Sequence, residues 1–501
     1  MIDYAKLQNG SDIRGIAMEN EWNDPVNLTA EAVQHLAAAF VRWIEERTGK
    51  KNLRIGIGRD SRLTGEALLK NAAQGIASVS AHAYDLGLAS TPAMFMSTVL
   101  DPCKFDGSIM ITASHLPYHR NGMKFFTPEG GLEKADIKRI TEIAASLSEL
   151  SIEESPSIES IAFMDTYADY LCAKIKEGVK AEDFEHPLKG LHIIVDAGNG
   201  AGGFFAYKVL EKLGADIEGS QFLTPDGNFP NHIPNPEDKA ASESIKNATL
   251  ASKADLGIIF DTDVDRAGAV LPDGKTLTRN VLIALMSRIV LKDHPGTTVV
   301  TDSITSKGLA SFIKDHGGVH RRFKRGYRNV IDESMRLNNE GTDSQLAIET
   351  SGHGALKENY FLDDGAYLMV KLLIELGKGE NLKELISDLK EPKESIELRL
   401  NVSDSDISKV FDNALAQLQK KVDGTEDWAV APDNIEGIRV NCAKDLGDGW
   451  FLLRKSLHEP ILPLNLESDS EGGVKTMAKE LFPVLSQVGG VDLSPLKDIV
   501  S

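Results

Sequence analysis

Leu191-His192-Ile193-Ile194-Val195 runs into Asp196-Ala197-Gly198-Asn199-Gly200 and then into an apolar-patterned stretch from Phe205 to Leu213. That order reads as a short apolar strand, a polar turn and a helix. The same unit occurs twice more. Leu53-Arg54-Ile55-Gly56-Ile57 leads into Gly58-Arg59-Asp60-Ser61-Arg62 and a helix around Glu66 to Ile76. Thr298-Val299-Val300-Thr301 leads into Asp302-Ser303-Ile304-Thr305-Ser306 and a helix around Gly308 to His316. Strands alternating with helices predict parallel α/β layers with sites at the strand ends, and hence three related domains. The last hundred residues differ in grain. Ser395 to Leu400 alternates at period two, Trp450 to Arg454 reads as a second strand, and a helix near Ser408 to Lys421 lies between them. This predicts a smaller α+β domain. Boundaries are expected near Pro187, Pro295 and Pro392, and Ser148 to Ser160 reads as a surface loop.

A chain of 501 residues has length for three or four cores, and 42% hydrophobic with 26% charged residues is a globular composition. The net charge of −20 repels nucleic-acid backbones and anionic membranes, so neither is expected as a partner. Cys103, Cys172 and Cys442 are too few and too scattered for a disulfide framework or a thiolate zinc site. They fit a reducing compartment. The N-terminus has no basic-then-apolar leader, and the best apolar run, Val281 to Leu291, is interrupted by Arg288 and reads as a buried helix. A cytoplasmic location is expected, or an organelle stroma after removal of a transit peptide. No pattern specifies an oligomeric state.

Four loops carry candidate chemistry. Thr112-Ala113-Ser114-His115-Leu116-Pro117 follows the apolar Ser108 to Ile111, which puts the Ser114 hydroxyl at a strand exit, where Lys124 could return. A capping serine beside a surface histidine is the plain alternative, and without a Gly-x-Ser-x-Gly elbow a hydrolase nucleophile is disfavoured. Asp261-Thr262-Asp263-Val264-Asp265-Arg266 follows the apolar Gly257 to Phe260. Alternate residues of an extended segment point the same way, so three carboxylates would converge on a hard cation such as Mg²⁺. Arg266 and Pro272 stand where a calcium loop needs glycine and glutamate. Glu349-Thr350-Ser351-Gly352-His353-Gly354 suits hydrogen bonding to a polyhydroxylated ligand, or forms a simple turn. Arg454-Lys455-Ser456-Leu457-His458-Glu459-Pro460 could cradle phosphate, or end a solvated strand. A fifth stretch, Gly198-Asn199-Gly200-Ala201-Gly202-Gly203, matches a dinucleotide fingerprint with Asp216 downstream, yet Asp196 would oppose a pyrophosphate.

In this order the four loops resemble the α-D-phosphohexomutase superfamily over nearly the whole chain. Ser11-Asp12-Ile13-Arg14-Gly15 and Gly58 to Arg62 are similar to two further elements of that family. The resemblance implies an α/β fold of three related α/β/α domains plus a C-terminal α+β, TATA-box-binding-protein-like domain around a central cleft. Residues 1–186 would carry the phosphoserine, 187–295 the metal, 296–392 sugar recognition and 393–501 the phosphate site. It implies an isomerase interconverting hexose 1-phosphate and hexose 6-phosphate, glucose or mannose favoured, with Mg²⁺ as cofactor and a hexose 1,6-bisphosphate as intermediate and activator. Ser114 would carry the phosphoryl group and add an oxygen to the metal set of Asp261, Asp263 and Asp265. Arg14, Lys124 and His353 would position groups and transfer protons. Arg266, Arg325 in the loop Phe323 to Arg328, Glu349, Ser351, Arg454 and Ser456 would bind substrate.

Four positions depart from the family pattern: Leu116 where asparagine is frequent, Leu457-His458 in place of an Asn/Gly-Thr pair, and Asn465 where a further arginine is frequent. A phosphoglucosamine mutase therefore stays open, as do an NAD-dependent dehydrogenase built on Gly198 to Gly203 and a non-catalytic sugar-phosphate binder.

Overall fold

The computed structural model of the chain describes residues 2–403, 406–456 and 459–501. It divides into two compact units, one formed by Met1–Leu282 with Ser351–Glu384, the other by Ile283–Thr350 with Leu385–Ser501.

In the first unit the strand Arg54–Arg59 pairs in parallel with His82–Leu88 on one side and Gly107–Ile111 on the other. Beyond Gly107–Ile111 the sheet turns antiparallel, through Arg120–Thr127 and then Asp12–Ile16. The layer is therefore mixed, where alternation of strands and helices predicted parallel pairing throughout. The cause is connection length. Between Ile111 and Arg120 there is no room for a helical crossover, so the chain must return as a hairpin, and that hairpin loop carries Ser114. The second sheet repeats the arrangement. Ile193–Asp196 and Leu256–Phe260 are parallel, whereas Ala267–Val270 folds back antiparallel across the loop Asp261 to Arg266. The segment after Gly203 is π-helical over Phe205–Leu210 and closes as a 3-10 turn over Glu211–Leu213, rather than a regular α-helix.

The helix Ala30–Thr48 is fixed at both ends: the Thr29 side chain accepts from the Ala32 amide, and Gly49 ends it at φ 70°. Its buried stripe of Phe40, Trp43 and Ile44 joins Ile55, Ile57, Ile109 and Phe125 in one core, with the Phe40 and Phe125 rings 4.9 Å apart. The hairpin Gly354–Leu356 with Leu362–Asp363 and the helix Gly365–Gly377 complete this unit. That helix starts at buried Asp364, whose carboxylate accepts from the Tyr367 amide at 2.9 Å and from the Tyr167 hydroxyl at 2.8 Å.

In the second unit Thr298–Thr301 pairs in parallel with Val319–Arg322 and with Ser344–Ile348. The C-terminal part is a mixed α/β domain built on a five-stranded antiparallel sheet in the order Glu394–Asn401, Ile461–Ser468, Gly449–Leu453, Ile438–Cys442, Trp428–Val430. Helices Ile407–Asp423 and Gly473–Leu485 supply Ala414, Leu418, Met477 and Leu481 to its core. Among the described residues no helix is long and apolar enough to cross a membrane.

One close approach sets the packing of the first sheet's helices. A Cβ on Gly75, inside the helix Gly65–Ser78, would lie 2.1 Å from the Gln34 carbonyl oxygen of the neighbouring helix. Helix propensity alone would make Gly75→Ala stabilising by about 1 kcal/mol. The collision with backbone reverses the sign, so thermal unfolding of Gly75→Ala should begin at a lower temperature than wild type. A raised unfolding temperature would contradict this packing.

Candidate active site

Ser114 sits in the first hairpin loop with φ 52°, a left-handed conformation that non-glycine residues adopt at a cost. Local bonds hold it there. Its amide donates to Thr112 Oγ1 at 2.8 Å, and its hydroxyl lies 3.2 Å from His115 Nδ1. Burial, followed by the charge of Arg266, pushes the His115 imidazole down to about 2, so it is neutral. The strongest restraint is Arg62, a residue the sequence analysis did not single out as a site residue. Its fully buried guanidinium donates to the carbonyls of Ser114 (2.5 Å), Leu116 (2.6 Å), Pro117 (2.8 Å) and Arg120 (2.9 Å). Asp60 Oδ2 lies 3.3 Å from Arg62 Nε and balances its charge. One cation thus gathers the carbonyls of the loop and leaves the hydroxyl side of Ser114 facing away from them.

Facing Ser114 is the loop between Leu256–Phe260 and Ala267–Val270. Asp261, Asp263 and Asp265 are all buried, and one ligand oxygen from each falls within 4.8 Å of the others. The carboxylates converge as expected, although not along an extended segment. Val264 adopts φ 67°, and its amide turns back toward the Asp261 carbonyl at 3.4 Å. A β-branched residue in that region is strained, and the strain is what brings the carboxylates into one space. Ser114 Oγ lies 3.3 Å from Asp261 Oδ2.

The cluster is short of positive charge. Lys124, returning on Arg120–Thr127, donates to Asp263 Oδ2 at 3.2 Å and contacts Asp265 Oδ2. Thr91 Oγ1 donates to Asp263 Oδ2 at 2.5 Å, and the Thr91 amide donates to the Asp263 carbonyl at 2.8 Å. Among the described residues, Asp263 Oδ1 and Asp265 Oδ1 are left buried without a hydrogen-bond partner. Burial, then the neighbouring Asp265 and Asp263 charges, hold the Asp261 carboxyl well above the usual carboxylate range. Asp265 lies on the other side: burial works against its charge, but the Lys124 ammonium beside it, with Arg266, holds it below the usual range. Hard oxygen donors in surplus over cations, with orphaned buried oxygens among them, fit a divalent cation such as Mg²⁺.

The remaining candidates in this unit act around that core. Arg14 donates to the Thr112 carbonyl at 2.5 Å and pairs with Asp12 at 2.8 Å, so it braces the base of the Ser114 loop. Arg266 Nε donates to His353 Nε2 at 2.8 Å, while His353 Nδ1 lies 2.5 Å from Asp363 Oδ2. Both ring nitrogens are thus engaged, with Nε2 accepting and Nδ1 donating. Ser351 is buried in the same unit. The dinucleotide-like turn serves structure. Asp196, at its base, accepts from the Gly198 amide at 2.9 Å, from His232 Nε2 at 3.0 Å and from Gln221 at 2.7 Å, so the turn is tied to its own carboxylate. A Cβ on Gly200 would meet the Thr262 carbonyl at 2.6 Å, so the glycine lets this turn pack on the carboxylate loop.

The other candidates lie in the second unit. Glu349 is buried and accepts from the Gly326 amide at 2.6 Å. Arg454 is buried, and with Arg325 it approaches Glu397. The Ser456 hydroxyl accepts from the Glu459 amide at 3.3 Å, and Lys455 Nζ donates to Ser408 Oγ at 2.6 Å, away from Arg454. Leu457 and His458 lie outside the described residues.

A hydroxyl on a fixed loop, an ammonium and a buried carboxylate cluster within reach of it are the parts of a phosphoryl-transfer site. Comparison with known proteins agrees. Residues 5–151, 165–274 and 278–392 match the phosphoglucomutase/phosphomannomutase α/β/α domains I, II and III. The chain is 29% identical over 95% of its length to a phosphoglucomutase of Neisseria gonorrhoeae, covering 95% of that protein. It is 30% identical to a phosphomannomutase/phosphoglucomutase of Pseudomonas putida, over 89% of this chain and 91% of that one. The crystal structure of a Burkholderia thailandensis phosphoglucomutase/phosphomannomutase family protein superposes with a TM-score of 0.78 at 27% identity, over 98% of this chain and 99% of that one. The chain belongs to the phosphoglucomutase/phosphomannomutase family of the α-D-phosphohexomutase superfamily. It is a phosphohexomutase, an isomerase by way of phosphoryl transfer.

Arg62 gives a direct test of the loop geometry. Arg62→Lys keeps the charge beside Asp60 but cannot serve four carbonyls, so kcat should fall by about a hundredfold, as loss of reacting-group alignment costs. Steady-state kinetics check it. An unchanged kcat would mean that the loop holds its shape without the guanidinium.

Proposed function

We propose that the enzyme interconverts hexose 1-phosphate and hexose 6-phosphate, with glucose and mannose as the favoured sugars, through a phosphoserine at Ser114 and a hexose 1,6-bisphosphate. The observation that carries this reading is the approach of Ser114 Oγ to the buried carboxylates of Asp261, Asp263 and Asp265. The names of the relatives, phosphoglucomutase and phosphomannomutase, support the choice of sugars.

In this reading the phosphoryl group passes from Ser114 Oγ to the free hydroxyl of the bound monophosphate, and the proton that hydroxyl loses ends on the departing Ser114 Oγ. The bisphosphate turns over, and its other phosphoryl group returns to Ser114. Mg²⁺, held by Asp261, Asp263, Asp265 and a phosphoserine oxygen, would neutralise charge on the phosphoryl in transit. Lys124, in contact with Asp263 and Asp265, faces the same group. His353, with both ring nitrogens engaged, orients Arg266 rather than relaying a proton. Arg14 and Arg62 hold the serine loop. Glu349 and Ser351 would read sugar hydroxyls, while Arg325, Arg454 and Ser456 would hold the phosphate that is not reacting. Residues 1–186, 187–295, 296–392 and 393–501 would accordingly supply serine, metal, sugar and phosphate functions.

A coupled assay across glucose, mannose, glucosamine and N-acetylglucosamine 1-phosphates, primed with the matching 1,6-bisphosphate, tests the whole reading. Glucose and mannose 1-phosphates should turn over fastest, and peptide mass spectrometry of the working enzyme should place phosphate on Ser114. Full turnover by Ser114→Ala would overturn the carrier assignment, and a preference for glucosamine 1-phosphate would overturn the sugar assignment.

An anchor used in both half-reactions contributes equally to substrate and transition state. Loss of a charge-assisted bond of roughly 1.5–3 kcal/mol should therefore raise KM about ten- to hundredfold in both directions for Arg454→Ala, with a smaller effect on kcat. An effect confined to one direction would show that Arg454 is not the shared anchor.

A further inference from the structure

Within the second unit a carboxylate stands where the proposed phosphate anchor would receive its anion. Glu397 Oε2 lies 3.3 Å from Arg325 Nη1 and 3.7 Å from Arg454 Nη2, and it accepts from Asn465 Nδ2 at 3.0 Å. Donors from the Arg325 loop and from the two paired segments that hold Arg454 and Asn465 thus meet around one oxygen. The ladder explains the placement. Glu397 lies directly opposite Asn465 in the antiparallel pair Glu394–Asn401 with Ile461–Ser468, while the alternate residues Leu398 and Leu400 are buried in the core.

The donors keep unused capacity. Arg454 is 7% and Asn465 5% exposed, yet Arg454 Nε and Asn465 Oδ1 have no hydrogen-bond partner among the described residues. Two guanidinium groups gathered on a single side-chain carboxylate form an anion site that is complete before any ligand arrives. The Glu397 side chain is 26% exposed, so it has room to leave.

We infer that Glu397 is a built-in competitor for phosphate: its carboxylate occupies the Arg325 and Arg454 donors until the phosphate group of a substrate displaces it. The inference rests on the phosphate-site reading proposed above. A carboxylate and a phosphate dianion cannot share these donors, because like charges at such a separation repel. Occupancy by Glu397 leaves only a fraction of molecules with the anchor open, and the apparent Kd of any phosphate ligand rises by the inverse of that fraction. Inorganic phosphate, held by these donors alone, is thereby pushed toward weak binding. A sugar phosphate is weakened by the same factor, so Glu397 sets the absolute affinity of both ligands at this anchor and leaves their ratio unchanged.

The test is a calorimetric titration of the full-length enzyme with inorganic phosphate at fixed ionic strength, for wild type, Glu397→Gln, Arg454→Ala and the double variant. Glutamine preserves size and removes charge, so Glu397→Gln should bind phosphate at least about fivefold more tightly, as loss of a competing charge-assisted contact implies. The gain should vanish in the Arg454→Ala background, which ties it to this anchor. The KM for the sugar phosphate should fall by a similar factor in both directions. Unchanged or weaker phosphate binding by Glu397→Gln, or a gain that survives without Arg454, would overturn the inference while leaving the anchor intact. If Arg454→Ala binds phosphate as well as wild type, the anchor reading itself fails and the competitor with it.

Discussion

Asp261, Asp263 and Asp265 lie buried around one small space with the Lys124 ammonium in contact with Asp263 and Asp265, and much of the first unit is arranged to make that possible. Carboxylates so close, away from water, repel one another strongly. The Val264 turn at φ 67° holds them together, Thr91 pins Asp263 from the neighbouring helix, and Gly200 lets a second loop pack tightly behind Thr262. Burial, then the neighbouring Asp265 and Asp263 charges, raise the affinity of the Asp261 carboxyl for a proton. A divalent cation held there would offset the same negative charge.

The two hairpins belong to the same economy of position. In each sheet of the first unit the chain leaves a strand running in the parallel direction, makes a short loop and returns antiparallel. A short loop between two paired strands is held at both ends, so its side chains are better fixed than those of a long crossover. One such loop carries the hydroxyl and the other the carboxylates. Arg62 tightens the first through its carbonyls, and the Asp196–His232 pair braces the turn that packs behind the second.

Much of this was legible in the chain. Strand, turn and helix could be read three times because apolar runs followed by Gly, Asp and Ser have few other folded uses, and bare carboxylates at alternate positions imply a cation. The departures have physical causes. The antiparallel return strands follow from connection length, which period and composition do not report. Arg62 was invisible as a site residue because it acts on backbone carbonyls, and nothing in a residue's identity announces a carbonyl partner. Its one signal was an arginine two residues after an aspartate at a strand exit, a spacing that lets both be buried as a pair. Glu397 was hidden for a different reason. In an alternating strand a glutamate reads as a solvent-facing residue, and only the register opposite Asn465 brings it to the two arginines. The Gly198 to Gly203 turn matches a dinucleotide fingerprint against which Asp196 already spoke, and its glycines serve close packing on Thr262 and Leu223.

The central claim is that the buried carboxylates of the Asp261 to Asp265 loop are a cation site. Titration of metal-stripped enzyme with Mg²⁺, followed by calorimetry and by unfolding temperature, tests it without reliance on turnover. The account predicts one ion per chain, a rise in unfolding temperature with Mg²⁺ concentration as for any ligand of the native state, and loss of both in Asp263→Asn. Absence of saturable binding, or equal binding by Asp263→Asn, would contradict it.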